Sequence, residues 1–253
     1  MKKEEEVRGS VAVAAVVLAA GSSSRMGTAK QLLKLGERTV LESTLAVVRG
    51  ADVAETVVVL GAEAEKIQRE IEFGAGVKVV VNAEYGTGMA SSLRAGLGAV
   101  GAEIDAALIV LGDQPLVRAE TLRTIIGAYA IVRAPGMGLR APSSGLRAPG
   151  SGDRAEGNGL GTLGGAEIVI PTHGGRRGNP VLLDRGVFGE AMALTGDVGC
   201  RAIFGKHADG IVTVAVEDAG ILVDIDSRED YERIAGSPSR KPEPVARAGS
   251  PSR

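Results

Sequence analysis

The sequence has 253 residues, 44% of them hydrophobic, which is enough apolar material for one large domain or two small ones. Positive and negative side chains nearly balance, and the formal net charge of −2 gives no reason to expect nucleic acid or a membrane as a partner. A charged amino terminus, no apolar run that could cross a bilayer and a single cysteine, Cys200, predict a cytoplasmic protein in which that cysteine is a small buried hydrophobe.

Apolar runs alternate with helical spacings along the chain, and this alternation predicts an α/β fold. We expect one Rossmann-like domain with a mostly parallel sheet covered by helices on both faces. The predicted strands are 11–19, 55–60, 77–81, 106–112, 167–171, 211–216 and 221–226. The predicted helices are 39–48, 63–71, 89–97, 188–194 and one that Ser227 caps.

The domain is expected to cover residues 11–236, between a disordered lead at 1–10 and a disordered tail at 237–253. A low-complexity insert at 133–165 interrupts it. The insert contains a tandem heptapeptide with a proline and at least one glycine in each copy, a density that no helix tolerates. It also contains a G-x-G-x-x-G at Gly159, but this follows no strand and opens no helix, so we expect no dinucleotide there.

A glycine-rich loop follows the first strand, in the stretch V-V-L-A-A-G-S-S-S-R-M-G-T-A-K. Gly21 and Gly27 would let several backbone N–H groups converge on one anion, and Arg25 and Lys30 would supply positive charge. The glycine spacing matches neither of the two common phosphate motifs, and we favour a nucleoside triphosphate over a dinucleotide. An ordinary strand-to-helix turn with solvated cations is the alternative.

A second glycine-rich loop, N-A-E-Y-G-T-G-M-A-S-S-L, begins at Asn82 after the third predicted strand. In an open α/β sheet the carboxyl edge of the strands is where ligands bind. This loop is therefore a candidate for the same site. The alternative is that Ser91 and Ser92 only cap the following helix, as serine often does near a first turn.

Carboxylates close two of the predicted strands. Asp113 ends the apolar strand in L-G-D-Q-P, where one carboxylate oxygen can hold Mg²⁺ while phosphates and waters fill the other positions. A plain turn is the alternative, because aspartate and proline both favour turns. Asp224 and Asp226 alternate along the last predicted strand, which would place both on one side and within reach of a shared metal.

Six segments resemble the nucleotidyltransferase family of the molybdenum cofactor, and most closely its cytidylyltransferase branch. They occur in the family's order and read L-A-A-G-S-S-S-R-M-G-T-A-K, G-T-G-M-A-S-S-L, L-G-D-Q-P, G-G-R-R-G-N-P-V, G-D-V-G-C-R and D-I-D-S-R-E-D-Y. The resemblance implies transfer of CMP from CTP to the terminal phosphate of molybdopterin cofactor, with Mg²⁺ as cofactor and release of pyrophosphate. The sequence departs from the family at the insert and at Cys200, where the family often has alanine.

Site residues follow from this resemblance, residue by residue. It implies Arg25, Lys30 and Asp113 as catalytic residues, and Asp113 as a metal ligand together with Asp224 or Asp226. The implied nucleotide-binding residues are Leu18, Ala19, Ala20, Gly21, Ser22, Arg25, Lys30, Gly88, Met89, Ser92 and Asp113. The implied acceptor-binding residues are Asn179, Pro180, Asp197 and Arg201.

A recipient molybdoenzyme or its chaperone is a further candidate partner. Ala20 stands where guanylyltransferase relatives carry glycine, and its Cβ is expected to narrow the pocket and favour CTP over GTP. Two other functions stay open: an NAD(P)H-dependent oxidoreductase of a small heterocycle on the same fold, and a non-catalytic carrier of the cofactor for molybdoenzymes.

Overall fold

A computed structural model describes residues 11–22, 27–133 and 166–236 of the chain. Its strands are β1 (Val13–Ala19), β2 (Lys34–Leu35), β3 (Arg38–Thr39), β4 (Glu55–Leu60), β5 (Val77–Val81), β6 (Ala106–Leu111), β7 (Ile168–His173), β8 (Arg176–Arg177), β9 (Val181–Asp184) and β10 (Ile211–Ala215). Its α-helices are α1 (Val40–Arg49), α2 (Ala64–Glu70), α3 (Met89–Gly98), α4 (Ala119–Arg133), α5 (Phe188–Met192) and α6 (Arg228–Ala235).

The main sheet has the strand order β10-β7-β9-β6-β1-β4-β5, with β8 paired to the end of β7. Strands β5, β4, β1 and β6 are parallel, whereas β9 runs antiparallel to both β6 and β7. The predicted mostly parallel sheet is confirmed. The carboxyl ends of β1, β6 and β7 therefore lie at one edge, and β9 begins at that edge.

Both faces of the sheet are covered, as predicted. Alternate residues of β1 point to opposite sides, as strand geometry requires. Ala15 and Val17 belong to a core with α1 and α4, and Val16 belongs to a second core with α3 and α5. Helix α3 lies close to the sheet at Gly96, where an added Cβ would come 2.4 Å from a methyl group of Val16.

The prediction of a last strand at 221–226 is wrong. Residues Ala219–Leu222 form a 3-10 helix, and the chain then runs irregularly to Ser227. Its backbone groups bond to two separate loops instead of to a neighbouring strand. The Ile221 carbonyl accepts from Asn179 N at 3.1 Å, and Ile225 N donates to the Asp113 carbonyl at 3.1 Å.

The final helix begins as the sequence predicts. Ser227 Oγ accepts from Asp230 N at 3.1 Å, and the Asp230 carboxylate accepts from Ser227 N at 3.0 Å, which is a complete capping box. Helix α6 then contacts the β2–β3 hairpin through Tyr231, whose hydroxyl donates to the Lys34 carbonyl at 2.8 Å.

The predicted lead at 1–10, the tail at 237–253 and residues 134–165 of the insert lie outside the described residues. Arg133 ends helix α4 and pairs with Asp184 at 3.4 Å, and the bounds of the insert stay a prediction. Within the described ranges, no helix combines the length and the apolar character needed to span a membrane.

Candidate active site

A lysine and two aspartates meet at the carboxyl edge of β1 and β6. Lys30 Nζ lies 2.5 Å from an oxygen of Asp113 and 3.4 Å from one of Asp226, and it donates to the Ile225 carbonyl at 3.1 Å. Burial alone would lower the pKa of Lys30, but Asp113 and Asp226 outweigh it and the pKa is raised. Three segments that are distant in sequence thus share one buried ammonium group, which is charged at neutral pH.

The start of the first loop is fixed by Gln31, a residue that the sequence interpretation did not single out. Its side-chain amide is 2% exposed and donates to the carbonyls of Ala19 at 2.8 Å and Gly21 at 3.3 Å. Gly27 has a φ of +67°, the left-handed conformation that glycine tolerates. Arg25 lies outside the described residues, so its predicted role has no geometry here.

Asp113 and Asp224 form the acidic side of the site. Gln114 donates to a carboxylate oxygen of Asp224. Burial is the main cause that raises the pKa of Asp224, and the negative charges of Asp113 and Asp226 add to it. The three carboxylates therefore interact although the predicted strand that was to align Asp224 and Asp226 does not form.

The residues present fit a divalent cation that phosphates help to hold. Oδ1 of Asp113 is buried and has no hydrogen-bond partner among the described residues, so a lone pair is available to a metal. Hard oxygen ligands are what Mg²⁺ and related cations prefer. In the described part of the chain no three His, Cys, Asp or Glu side chains are grouped as a metal cage. Further ligands would then come from substrate oxygens and water.

The second glycine-rich loop is held by Asn82, another residue that the interpretation missed. Its amide donates to Ser91 Oγ at 2.8 Å and Ser92 Oγ at 3.1 Å, and its carbonyl oxygen accepts from Glu84 N at 2.9 Å. Ser92 is only 6% exposed, and α3 begins after Gly88 without a serine cap. The serines therefore tie the loop to the end of β5 and do not cap the helix.

The second loop touches the loop that begins at Gly196. Gly88 has a φ of +114°, and an added Cβ would lie 2.4 Å from the Gly196 carbonyl. Ala90 N donates to that carbonyl at 3.2 Å, and Met89 N donates to the Asp197 carboxylate at 3.3 Å. Asp197, predicted on the acceptor side, thus holds the amino terminus of the helix that carries the predicted nucleotide residues.

Two adjoining cavities open beside this cluster. The smaller, of about 280 Å³, is mainly apolar and has Leu18, Met89 and Cys200 among its lining residues. Burial raises the pKa of the Cys200 thiol to about 12, as expected for a small buried hydrophobe. The larger cavity, of about 530 Å³, has a polar lining. The residues that line both cavities are Asn179, Arg201 and Asp224.

The remaining predicted residues lie around these cavities or behind them. Gly21 and Ser22 are exposed at the end of β1. Ala20 is 5% exposed and packs in the core under α3, and it is not among the residues that line either cavity. Pro180 is buried after a cis peptide bond and leads into β9.

Comparison with known proteins agrees with the observed fold. A family model described as a MobA-like NTP transferase domain matches residues 15–211. The crystal structure of Rv0371c from Mycobacterium tuberculosis is similar, with a TM-score of 0.70 and 30% identity over 90% of this chain and 100% of that one. A structure of Rv0371c in complex with manganese has a TM-score of 0.65 and 27% identity, over 90% and 100% of the two chains.

Curated relatives match over shorter segments. The 2-C-methyl-D-erythritol 4-phosphate cytidylyltransferase of Thermobifida fusca is 39% identical over 136 residues, which is 50% of this chain and 53% of that protein. The bifunctional protein GlmU of Trichlorobacter lovleyi is 36% identical over 120 residues, 46% of this chain and 26% of that protein. The chain thus spans about a quarter to a half of the length of these relatives.

The family match covers most of the chain, and it includes the loop after β1, the loop before α3 and the strand that ends next to Asp113. It also agrees with the observed sheet, whose carboxyl edge gathers those loops. This chain therefore belongs to the family of MobA-like NTP transferase domains and is a nucleotidyltransferase by family.

Proposed function

We propose that this nucleotidyltransferase transfers CMP from CTP to the terminal phosphate of molybdopterin cofactor and releases pyrophosphate, with Mg²⁺ or Mn²⁺ bound. The observation that carries the proposal is the cluster of Lys30, Asp113 and Asp226, with Lys30 Nζ 2.5 Å from Asp113 and 3.4 Å from Asp226. It lies beside two cavities that share Asp224. One cavity is thus available to each of two substrates.

Lys30 and the first loop would hold the triphosphate. Gly21 and Ser22 are exposed at the end of β1, and Gln31 fixes the carbonyls of Ala19 and Gly21. Lys30 brings a positive charge that neutral pH does not remove, since its pKa is raised. Arg25, in the same loop, would add a second cation.

Asp113, with Asp226 or Asp224, would hold the divalent cation. When bound, the cation neutralises charge on the phosphates and on the leaving pyrophosphate. The manganese in the Rv0371c structure supports metal use in a similar protein. The buried, unpartnered Oδ1 of Asp113 supports the same assignment in this chain.

The transfer itself needs little from the protein beyond positioning. An oxygen of the acceptor phosphate forms a bond to the α-phosphorus of CTP. The bond from that phosphorus to the bridging oxygen of the β-phosphate breaks, and its electron pair leaves with pyrophosphate. A phosphate oxygen is already ionised near neutral pH, so no general base is required. Lys30 and the cavity arginine Arg201 would supply the charge stabilisation.

Thermal shift with CTP, GTP, ATP and NADPH, each with and without Mg²⁺ or Mn²⁺, tests the proposal. CTP with metal should raise Tm by about 5 °C or more at saturating concentration. Pyrophosphate release should then require molybdopterin cofactor. Preference for GTP would exclude the cytidylyltransferase assignment, stabilisation by NADPH alone would favour the oxidoreductase, and binding without pyrophosphate release would favour the carrier.

The base preference can be examined at Ala20. The sequence interpretation assigned the CTP preference to its Cβ, but this side chain packs in the core under α3. Ala20→Gly would therefore act by loosening the end of β1, and competition of CTP against GTP measures its effect. A preference that reverses in Ala20→Gly assigns base selectivity to this position. A preference that persists assigns selectivity to other residues and leaves the CTP proposal in place.

A further inference from the structure

The larger cavity carries three arginines from two different segments. Arg176 and Arg177 come from β8, and Arg201 comes from the short 3-10 helix Cys200–Ile203. All three are exposed, and within the described ranges none forms an ion pair with a carboxylate. Other arginines of the chain, such as Arg118, do pair with an aspartate. Three unneutralised guanidinium groups around one cavity favour an anionic ligand.

The backbone holds β8 in a defined place. Gly174 and Gly175 form a two-residue turn with φ values of +55° and +77°, the combination that a type I′ hairpin requires. The hairpin pairs β8 with the end of β7. After β8 the chain passes Ile221 so closely that a Cβ at Gly178 would lie 2.4 Å from the Ile221 carbonyl. The short segment that carries Arg176 and Arg177 is thus held at both of its ends.

The cavity also adjoins the proposed reaction centre. Gln114, which follows Asp113 directly, lines it and donates to Asp224, and Asp224 lines both cavities. An anion held by the arginines would therefore lie next to the acidic cluster, in a cavity that none of the described residues of the loop after β1 line. Asp224 is the carboxylate among the lining residues, and it repels an anion, so an anion would bind against the arginines.

We infer that Arg176, Arg177 and Arg201 form the site that binds the phosphate group of the acceptor, separate from the proposed triphosphate loop. The inference rests on the proposed function, because an acceptor exists only if the chain transfers a nucleotide. A guanidinium group donates two parallel N–H bonds to a phosphate, so these arginines can hold two terminal oxygens of a phosphate monoester while the third oxygen stays free to attack the α-phosphorus. The rest of the acceptor would lie in the larger cavity, and the smaller cavity, where Leu18 and Met89 lie, stays available to the nucleotide.

Phenyl phosphate is a suitable probe because it joins a phosphate monoester to a small apolar ring. Its Kd for the full chain is measured by calorimetry, with benzyl alcohol as the uncharged comparison. The variants are Arg177→Ala, Arg177→Lys and Arg176→Ala. Arg49→Ala is the matched control, since Arg49 is exposed at the end of α1, which the sheet topology places at the opposite edge. Lys30→Ala tests the triphosphate loop.

We expect the Kd for phenyl phosphate to rise about tenfold or more in Arg176→Ala and Arg177→Ala, and less in Arg177→Lys. It should stay unchanged in Arg49→Ala and in Lys30→Ala, and CTP should bind Arg177→Ala as it binds the wild type. An unchanged Kd in both β8 alanine variants would overturn the inference, as would a loss of binding confined to Lys30→Ala. Arginine-dependent phosphate binding in a chain that binds no nucleotide would support the anion site and overturn the proposed function.

Discussion

The ammonium nitrogen of Lys30 lies 2.5 Å from a carboxylate oxygen of Asp113, a residue 83 positions further along the chain. The pair joins the loop after β1 to the end of β6, two strands that are neighbours in the sheet. The other oxygen of Asp113 has no partner among the described residues. One carboxylate thus neutralises a lysine and keeps a lone pair for a cation.

Asp113→Asn should abolish metal-dependent turnover while leaving the fold intact. The amide keeps the shape of the side chain but cannot bind a cation as a carboxylate does, so we expect a loss of about a hundredfold or more. Lys30 retains Asp226 and the Ile225 carbonyl as partners, which limits the effect on stability. Pyrophosphate release and Tm are the measurements. Near wild-type activity, or a chain that fails to fold, would refute the metal assignment.

Lys30→Ala should weaken binding of every nucleoside triphosphate by about tenfold or more, because in the proposed site the lost charge would face phosphates and not the base. The ratio of the Kd values for CTP and GTP should stay constant. Calorimetric titration of both nucleotides into the variant checks this. A variant that changes the ratio and keeps the affinity for one base would show that Lys30 contributes to base selection.

Gly88→Ala should disturb the contact between the two loops. Its Cβ would lie 2.4 Å from Gly196, and its φ of +114° is unfavourable for any L side chain. We expect a loss of roughly 1–3 kcal/mol in the free energy of unfolding, measured by urea titration. Gly98→Ala is the matched control at the other end of α3, where no heavy atom lies within 4 Å of the added carbon. Equal effects of the two changes would contradict this explanation.

The sequence predicted most of the fold because its strands are unambiguous. The strands β4 and β5 of the parallel half are rich in valine, a residue that favours strands, and both have the predicted bounds. The predicted strand at 221–226 does not form, for a physical reason. Residues 223–226 alternate apolar and acidic side chains as a strand would, but the packing of the chain before them prevents strand pairing. Gly220 lies so close to the Leu116 carbonyl, 2.3 Å from an added Cβ, that the chain packs against a loop and not beside a strand.

The residues that position the candidate site were not predicted, because they are side-chain amides. Asn82, Gln31 and Gln114 position the two loops and Asp224, but an amide in a loop has no periodicity that would distinguish it from a solvated residue. The available signal was that two of these residues directly follow a predicted site residue in sequence: Gln31 follows Lys30, and Gln114 follows Asp113. The cavity arginines of β8 were part of a recognised motif, yet their convergence with Arg201 depends on tertiary structure.

Stability should depend on pH through His207, at the edge of the sheet opposite the candidate site. Its Nδ1 lies 2.8 Å from Glu167, and this hydrogen bond raises the pKa of His207 despite partial burial. Glu190 also faces the ring at 3.4 Å, and Lys206 pairs with Glu190 at 3.2 Å. The stabilisation is complete below the unfolded pKa of about 6.5 and is lost as the pH rises through the raised folded value.

Urea midpoints from about pH 5.5 to about pH 8.5 measure this effect. The wild type should lose stability over the upper part of that range, whereas His207→Gln should show a flatter profile because it carries no proton to release. His173→Gln is the control, since that histidine contacts a backbone carbonyl of Val216 and no carboxylate in the described structure. Identical slopes for wild type and His207→Gln would exclude the histidine as the source.

Replacing residues 134–165 with a short Gly-Ser linker should change Tm by less than about 2 °C. The composition of the segment offers little apolar surface to offset the entropy of ordering it. The elements on either side are held without it: α4 ends in the pair of Arg133 with Asp184, and β7 is paired with β9 and β10. A loss of several degrees by calorimetry would show that the segment packs on the core.

The reversal of β9 has an evolutionary consequence. The segment from Gly174 to Pro180 turns back along β7, so β7 and β9 are joined by a hairpin and not by a crossover. Such a segment can be exchanged between relatives without moving a helix. In the proposed arrangement, the nucleotide site on β1 and β6 would stay constant while exchange of this one segment brings in new acceptors.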